Sequence, residues 1–293
     1  MNFSAITVSY PIDEETFNEI SQLCDNAEKA DLVSYRLVMN LALSTNPDIK
    51  GFFVLIYDDE QNVLAGAASA VDLIGLNTYE WSLLVDPMYR KIGLGEALYN
   101  VLRNSLEVRG SEGDLALNVE SSNYGEAFLM EKNYRYSFSD ATLEAKAEVA
   151  QQPITIHVRP YTSQDNEALC EIFSEAFGDT KDESLDLIDF NSTTEGLSLW
   201  VAELENEVIA TVTTRKEGDG HWVSAFAVHP KHQNKGIGSQ ILIWVKDYVL
   251  RAGESNVMLD VELENKKALS IYEKNGFLIS TKINYYVQTY KEV

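Results

Sequence analysis

The sequence has 293 residues, about twice the length of a typical domain, and its 45% hydrophobic and 24% charged residues are typical of a folded globular protein. The net charge of -23 at pH 7 disfavours nucleic acid as a partner, because an acidic surface repels polyanions, and it favours cationic small molecules such as amines. Without an apolar stretch of about 20 residues or a signal-like start, the sequence predicts a cytoplasmic protein with no membrane association.

The sequence contains two cysteines, Cys24 and Cys170. They are too few for a disulfide framework, and neither lies in a spacing that binds zinc. We therefore expect two reduced thiols and no metal site.

Patterns of apolar residues predict the elements of each half. In the first half they indicate strands at 51–59, 63–73 and 79–85, a helix at 95–110 and a strand at 114–121. In the second half they indicate a strand at 154–161, helices at 163–178 and 182–190, strands at 197–204, 207–216 and 221–228, a helix at 236–253, a strand at 256–264, a helix at 265–276 and one or two closing strands within 277–291. Ser163 is the predicted cap of the helix that follows it, and Gly253 the predicted stop of the helix before it.

Strands and helices mix here without strict alternation, so we predict the α+β class (mixed α/β) with a mixed, mostly antiparallel sheet flanked by helices in each half. The polar segment 146–153, which closes with a proline, is the predicted linker. It separates predicted domains at 1–150 and 151–293.

The two halves repeat one pattern. Two matches are 143 positions apart, namely Asp86-Pro87 with His229-Pro230 and Gly93-x-Gly95 with Gly236-x-Gly238. Two further matches are 142 positions apart, namely Asn123 with Asn265 and Glu131-Lys132-Asn133 with Glu273-Lys274-Asn275. One insertion or deletion over this span indicates a duplication.

The glycine loops point to an anion site. Each follows a strand and opens a helix, where unpaired backbone N–H groups and the positive end of the helix dipole converge. Two glycines can also open a helix for packing reasons alone, so the loop by itself is weak evidence. A dinucleotide-binding fold is disfavoured because Ile241 stands where the third glycine belongs and several strands precede the loop. A Walker A loop is excluded because GxxxxGK[ST] does not occur.

The second half resembles the GCN5-related N-acetyltransferases. The resemblance rests on motifs in a fixed order: Val228-x-Pro230, Gln233-x-x-Gly236-x-Gly238 opening a helix, a strand, Asn265, and the segment ALSIYEKNGF at 268–277. The first half fits the same order, so the resemblance covers nearly the whole chain, as a tandem member of the family.

The resemblance implies that acetyl-CoA is the co-substrate. In the second half, the implied binding residues are Phe226, Ala227 and Val228 for the pantetheine arm, Gln233, Asn234, Lys235, Gly236, Ile237, Gly238 and Ser239 for the pyrophosphate, and Asn265 for the arm again. In the first half, they are Leu84, Val85, Arg90, Lys91, Gly93, Gly95 and Asn123.

The resemblance also implies two catalytic residues in the second half. Tyr272 lies where relatives place the tyrosine that protonates the departing thiolate, and a phenol of pKa about 10 suits that task. Asp260 lies where some relatives place the base that takes the amine proton, with Glu262 and Ser224 as substitutes.

At an offset of 142, the first half has Asn118 and Met130 at these positions, and neither exchanges a proton. Glu80 as a base and Tyr124 or Tyr134 as a donor stay open there. We therefore expect the second half to catalyse and the first to be degenerate or to bind CoA only.

The predicted function is transfer of an acetyl group to a primary amine of a small molecule or peptide by direct attack. The alternative is a non-catalytic protein that binds CoA or an amine. The acceptor pocket is implied at 163–196 and 277–292, where Asp179, Asp182, Glu183 and Asp186 are acidic. The chain is expected to be a monomer or a homodimer.

Overall fold

The computed structural model of the protein describes residues 2–73, 75–120, 122, 124–217 and 220–288. They form two compact units. The N-terminal unit runs to Asp140 and resumes at Thr281, and the C-terminal unit runs from Ala141 to Ser280. None of the helices in these residues is long and apolar enough to cross a membrane.

The first half of the chain supplies six strands and three helices among the described residues. In order they are β1 (Phe3–Ser9), α1 (Glu14–Asp31), β2 (Lys50–Asp58), β3 (Val63–Asp72), β4 (Thr78–Val85), α2 (Leu94–Val108), β5 (Gly113–Val119), α3 (Gly125–Glu131) and β6 (Tyr134–Lys146).

The second half supplies six strands and four helices among the described residues. In order they are β7 (His157–Pro160), α4 (Asn166–Phe177), α5 (Lys181–Thr193), β8 (Leu197–Leu204), β9 (Glu207–Glu217), β10 (Gly220–Val228), α6 (Ile237–Arg251), β11 (Asn256–Glu262), α7 (Lys266–Lys274) and β12 (Leu278–Gln288).

The sheet of the N-terminal unit has the order β1-β2-β3-β4-β5, followed by residues of β12 and then of β6. The pairs β1–β2, β2–β3 and β3–β4 are antiparallel, and β4 with β5 is parallel from Thr78–Gly113 to Trp81–Ala116. Residues 283–287 of β12 pair antiparallel with β5. The mixed sheet predicted from the sequence is confirmed.

The sheet of the C-terminal unit has the order β6-β11-β10-β9-β8-β7, in which the residues of β6 from Ala141 onward take part. Its parallel pair is β10 with β11, from Gly220–Asn256 to Val223–Leu259, whereas β9 pairs antiparallel with both of its neighbours. In each unit the first strand of a parallel pair leads into the glycine loop, and the second strand follows the helix that the loop opens.

Both faces of each sheet are covered by helices. In β2, Phe52 and Val54 pack in the cluster that contains α2 residues, and Phe53 and Leu55 pack in the cluster that contains α1 residues. A strand buried on both faces reads as a continuous apolar run, which explains the segment FFVLI at 52–56. The C-terminal unit has one cluster that includes α6 and another that includes α4 and α5.

Helix starts follow local chemistry. Asp13 caps α1 by accepting a hydrogen bond of 2.8 Å from the N–H of Thr16, and Thr180 with Glu183 forms a capping box at α5. The cap predicted at Ser163 is corrected, because Ser163 begins a 3-10 turn, Ser163–Asp165, that leads into α4. Thr162, one residue before Ser163, forms the capping box with Asp165, because its hydroxyl and amide both reach that carboxylate.

The sequence-based domains at 1–150 and 151–293 follow the repeat, whereas the compact units follow strand pairing. Chain order alone does not show which strand pairs with which. Residues from Thr281 onward complete the sheet begun by the first half, and the end of β6 lies beside β11.

One buried histidine gives a stability prediction. His221 on β10 is 6% exposed, and neither ring nitrogen has a hydrogen-bond partner among the described residues. Desolvation lowers its pKa, because burial penalises the charged imidazolium. The unfolded chain therefore binds this proton more readily than the folded protein.

We expect the free energy of unfolding to be unaffected by His221 above its unfolded pKa of about 6.5, and to fall as the pH drops below that value toward its lowered folded pKa. Urea unfolding of His221→Leu should show a shallower acid loss than the parent protein, by at most about 1.4 kcal/mol per pH unit. Equal slopes for the two proteins between pH 7 and pH 5 would contradict the assignment.

Candidate functional site

The parallel strands of each unit separate at their carboxyl ends. Pairing of β10 with β11 stops at Val223, although β10 continues to Val228. The edge of residues 224–228 that faces β11 is therefore open for pairing with a ligand. In the N-terminal unit, pairing of β4 with β5 stops at Trp81 and β4 continues to Val85.

The C-terminal unit has a β-bulge at this point. The register between β10 and β9 shifts between Ser224 and Ala227, and Ala225 has a φ of 44°. A bulge leaves an extra residue unpaired and redirects the strand. In the N-terminal unit β4 instead pairs with β3 in continuous register from Glu80 to Val85. The two sites therefore differ in backbone as well as in side chains.

The glycine loops have the same backbone design in both units. Gln233 donates from Nε2 to the carbonyl of Val228 at 2.9 Å. Gly236 has a φ of 78°, and a Cβ there would meet nothing within 4 Å, so the backbone and not crowding requires glycine. At Gly238 a Cβ would lie 3.5 Å from the Phe226 ring, which is an ordinary van der Waals contact, so crowding does not require glycine there either.

In the N-terminal loop, Arg90 takes the role of Gln233 and donates from Nε to the carbonyl of Val85 at 3.1 Å. Gly93 has a φ of 93° and open space around its Cβ position. Both helices therefore begin with a left-handed glycine that leaves their first N–H groups accessible.

Hydrogen bonds show which residues of the two units correspond after the loops. The N–H of Ser122 bonds to the carbonyl of Val119, and that of Asn265 bonds to the carbonyl of Glu262. Ser122 therefore corresponds to Asn265. The predicted counterpart, Asn123, lies outside the described residues.

Hydrogen bonds also change the counterpart of Tyr272. The N–H of Lys132 bonds to the carbonyl of Leu129, as that of Asn275 bonds to that of Tyr272, so Leu129 and not Met130 takes the tyrosine's place. The repeated letters EKN misled the alignment by one residue. Asn133 itself has a φ of 64°, where the other half uses Gly276 at 83°, because Asn tolerates that conformation best after Gly.

Tyr272 lies on α7 and is 9% exposed. Its ring packs against Phe277 at 5.9 Å and Phe226 at 6.3 Å between centroids. Desolvation raises its pKa to about 12, and among the described residues no hydrogen bond holds its hydroxyl. The proton is therefore retained over the ordinary pH range and stays available for a bound partner.

Asp260 lies elsewhere on the same scaffold. Leu259 and Val261 join the core cluster that contains Tyr272, and alternation along β11 puts Asp260 on the opposite face. Its carboxylate accepts a hydrogen bond of 2.6 Å from the hydroxyl of Thr142. Desolvation raises its pKa, although this bond and the charge of Arg215 act against the rise.

Two substitutes for the base share the face of Asp260. Ser224 follows Val223 on β10 as Asp260 follows Leu259 on β11, so these exposed side chains are neighbours across the parallel pair. Glu262 lies two residues along β11 on the same face and is exposed. The fold thus gathers the candidate bases on one face and places the candidate acid on the other.

The N-terminal unit holds a cavity of about 570 Å³ between its separating strands. Its walls are mainly apolar, and three of its polar lining residues form one network. Arg90 donates to both carboxylate oxygens of Asp31 at 2.7 and 2.6 Å, and Tyr35 donates to the same carboxylate at 2.8 Å. The Arg90 hydrogen bonds lower the pKa of Asp31. No motif in the sequence indicated Asp31 or Tyr35.

The three residues left open for catalysis in the first half, Tyr134, Tyr124 and Glu80, differ in their burial and in their position relative to the cavity. Tyr134 is fully buried and its hydroxyl bonds to Asp114, while burial raises its pKa, so it is a packed core residue. Tyr124 is 62% exposed at the cavity mouth. Burial, with a contribution from the charge of Asp140, raises the pKa of Glu80 to about 7, yet Glu80 is not among the cavity-lining residues.

Asn118 and Asn265 both have structural partners. Asn118 lines the N-terminal cavity, and its side chain occupies the space beside Gly125, where a Cβ would clash at 1.9 Å. Asn265 accepts a hydrogen bond of 3.1 Å from the N–H of Ala268 and so caps α7. Among the described residues no group of three or more His, Cys, Asp or Glu side chains is placed to hold a metal ion.

Comparison with known proteins gives consistent matches. The sequence model of the acetyltransferase (GNAT) family matches residues 14–133 and 166–277. A GCN5-related N-acetyltransferase from Sphaerobacter thermophilus is similar with a TM-score of 0.74 at 18% identity, over 96% of this chain and 95% of that one. A tandem GNAT protein from the clavulanic acid biosynthesis pathway has a TM-score of 0.73 at 15% identity, over 99% and 100% of the two chains. A GNAT-family acetyltransferase from Colwellia psychrerythraea has a TM-score of 0.66 at 12% identity, over 97% of this chain and 100% of that one. At these identities the structural likeness shows the fold.

Proposed function

The chain belongs to the acetyltransferase (GNAT) family, as a protein of two tandem GNAT domains, and from this premise we propose that its C-terminal unit transfers an acetyl group from acetyl-CoA to a primary amine. The observation that carries the proposal is Tyr272. It is a nearly buried phenol whose hydroxyl is not bonded by the described residues, beside the open end of β10.

Acetyl-CoA would supply the activated acyl group as a thioester. The residues fit this co-substrate in three ways. The open edge at 226–228 can pair with the amide groups of the pantetheine arm, as an added strand does. The loop from Gln233 to Ser239 leads into the positive end of α6, which favours a diphosphate. Asn265 lies at the start of α7, with its side-chain oxygen used as a cap and its amide group left for the arm.

In the proposed reaction the amine must be neutral when it attacks the acyl carbon, and the departing sulfur must receive a proton. Tyr272 would donate that proton as the carbon–sulfur bond breaks. An N–H of the bulged strand near Val228 would stabilise the developing oxyanion. The amine would lose its proton to Asp260, directly or through water, with Glu262 and Ser224 as substitutes.

We propose a small molecule or peptide with a primary amine as acceptor. The charge of -23 favours a cationic acceptor near the protein. Among the acidic residues of the implied acceptor region, Glu183 is already used by the capping box with Thr180. Asp179, Asp182 and Asp186 therefore stay as the candidates for contact with a cationic group. A monomer or homodimer in the cytoplasm stays part of this proposal.

The test of this function is release of free thiol from acetyl-CoA with a panel of primary amines, followed by mass spectrometry of the acetylated product. We expect amine-dependent release with at least one member of the panel. Acetyl-CoA binding without release across a broad panel would favour the non-catalytic alternative.

Asp260→Asn gives a separate prediction for the base. Because Asp260 acts as a base only when ionised, kcat/KM of the parent protein should fall as the pH drops through the raised pKa of Asp260, which gives the pH profile an acid limb. The variant Asp260→Asn should lack this acid limb, and its kcat/KM should be about 10²-fold lower. Thr142→Val, which removes only the hydrogen bond, should shift the limb to higher pH. An unchanged profile in Asp260→Asn would transfer the role to Glu262 or Ser224.

A further inference from the structure

At the entrances of the two sites, here called the mouths and formed by the glycine loop and the start of the helix after the second parallel strand, three positions have lysine in the C-terminal unit and an apolar or aromatic residue in the N-terminal unit. Met88 and Lys231 both donate their N–H to the residue two positions earlier, which fixes their correspondence. One position before the left-handed glycines stand Ile92 and Lys235. Two positions after Ser122 and Asn265 stand Tyr124 and Lys267.

Each lysine of the C-terminal mouth is thus replaced by an apolar or aromatic residue in the N-terminal mouth. These replacements are not buried. Met88 is 89% exposed, Tyr124 62% and Ile92 51%. Large apolar side chains at such exposure gain nothing from the core. Tyr124 lines the cavity, and Met88 and Ile92 directly follow the lining residues Pro87 and Lys91, so together they indicate a ligand-contacting surface at its entrance.

The N-terminal loop has two cations of its own, Arg90 and Lys91, where the C-terminal loop has Gln233 and Asn234, and both have partners within the unit. Arg90 is paired through both of its terminal nitrogens with Asp31, and the Nζ of Lys91 lies 5.7 Å from the centre of the Tyr124 ring. In the C-terminal mouth Lys231 reaches Glu171 at 3.3 Å, whereas Lys235 and Lys267 are exposed. A co-substrate with a diphosphate and a third phosphate is therefore served much better by the C-terminal mouth.

The cavity behind the N-terminal mouth suits an apolar guest. Its volume of about 570 Å³ lies within the range of small-molecule sites. Much of its apolar lining comes from both separating strands and from α3, and this part includes Leu83, Val85, Leu117, Val119, Phe128 and Leu129. Leu129, in the place of Tyr272, makes this wall apolar where the other unit carries a hydroxyl.

We propose that the N-terminal cavity binds a small molecule with an apolar chain and no polyphosphate, so that the chain holds one acetyl-CoA and one apolar ligand. This replaces the sequence-based expectation that Arg90, Lys91, Gly93 and Gly95 hold a second CoA. The proposal does not depend on transfer activity in the C-terminal unit.

The experiment uses the full chain and the neutral fluorescent probe N-phenyl-1-naphthylamine, displaced by 1-decanol, with native mass spectrometry to count bound acetyl-CoA. We expect one decanol-displaceable probe site and one acetyl-CoA per chain. The variant Met88→Lys/Ile92→Lys/Tyr124→Lys changes only exposed or mouth positions and should weaken decanol binding about tenfold, because apolar contact area is lost.

The matched control is the mirrored variant Lys231→Met/Lys235→Ile/Lys267→Tyr. It should bind decanol as the parent protein does and bind acetyl-CoA at least tenfold more weakly. Two acetyl-CoA per parent chain, no decanol-displaceable probe site, or unchanged decanol affinity in the triple-lysine variant would each overturn the proposal. Amine-dependent thiol release is measured in parallel, so failure of this proposal is distinguishable from failure of the proposed transferase function.

Discussion

Replacing Tyr272 by Phe is expected to lower kcat for amine-dependent thiol release by about 10² to 10³, because positioned proton donors contribute in that range. The change removes one oxygen and keeps the ring that packs against Phe226 and Phe277. The KM for acetyl-CoA should stay within about threefold, since the hydroxyl is required when the sulfur departs and not for binding. Steady-state kinetics with saturating amine measures both constants.

The pH dependence sharpens this prediction. With a pKa raised to about 12 by desolvation, Tyr272 stays protonated and competent well above pH 9. The activity of the parent protein should therefore rise with pH as the acceptor amine loses its proton, and it should not fall again between pH 8 and pH 10 from loss of the donor. An unmodified tyrosine of pKa about 10 would already be half ionised at the upper end of this range.

Tyr248→Phe is the matched control. Tyr248 lies on α6 in the same unit and stacks on Trp244 at 5.2 Å, so it also loses one hydroxyl from an aromatic cluster. Its turnover should equal that of the parent protein. Equal loss in both variants would indicate a general packing effect, and unchanged turnover in Tyr272→Phe would remove the tyrosine from the mechanism.

Local patterns were sufficient to predict most of the elements. The period of apolar residues located the strands that flank each glycine loop, and the repeated Gly-x-Gly spacing located Gly93 and Gly236. The structure adds the reason, since both have a left-handed backbone that favours glycine. Strand partners were not predictable in the same way. Residues 283–287 pair with β5, more than 160 positions earlier, and no local pattern records such a long-range choice.

The candidate site was predictable only where a motif repeats. The corresponding residue of Tyr272 was misplaced by one position, because Asn133 and Asn275 are the same letter in different backbone roles. Asp31 and Tyr35 carry no motif, since their relation to Arg90 arises from folding of α1 toward the loop. A residue that changes within a repeated motif is visible in a sequence, whereas a contact between distant segments is not.

A glutamate at Gly236 is expected to reduce kcat/KM for acetyl-CoA on the order of 10², whereas the same change at Gly93 should have no comparable effect on transfer. The two positions are matched in structure. Each precedes the first residue of its helix, each has a positive φ (78° and 93°), and each has open space where the new Cβ would lie. The strain of a left-handed glutamate, about 1 kcal/mol, is therefore common to both variants.

The variants differ only in the ligand that each loop is proposed to hold. A carboxylate beside the N-terminus of α6 would oppose the diphosphate, and juxtaposed like charges cost several kcal/mol, which corresponds to the expected 10². Thermal unfolding of both variants checks that the structural cost is equal, and initial rates at several acetyl-CoA concentrations give the kinetic loss. If Gly93→Glu alone abolished transfer, the chemistry would belong to the N-terminal unit. If both variants lost transfer equally, both loops would serve the reaction, and the division of labour inferred from Leu129 and Tyr272 would be wrong.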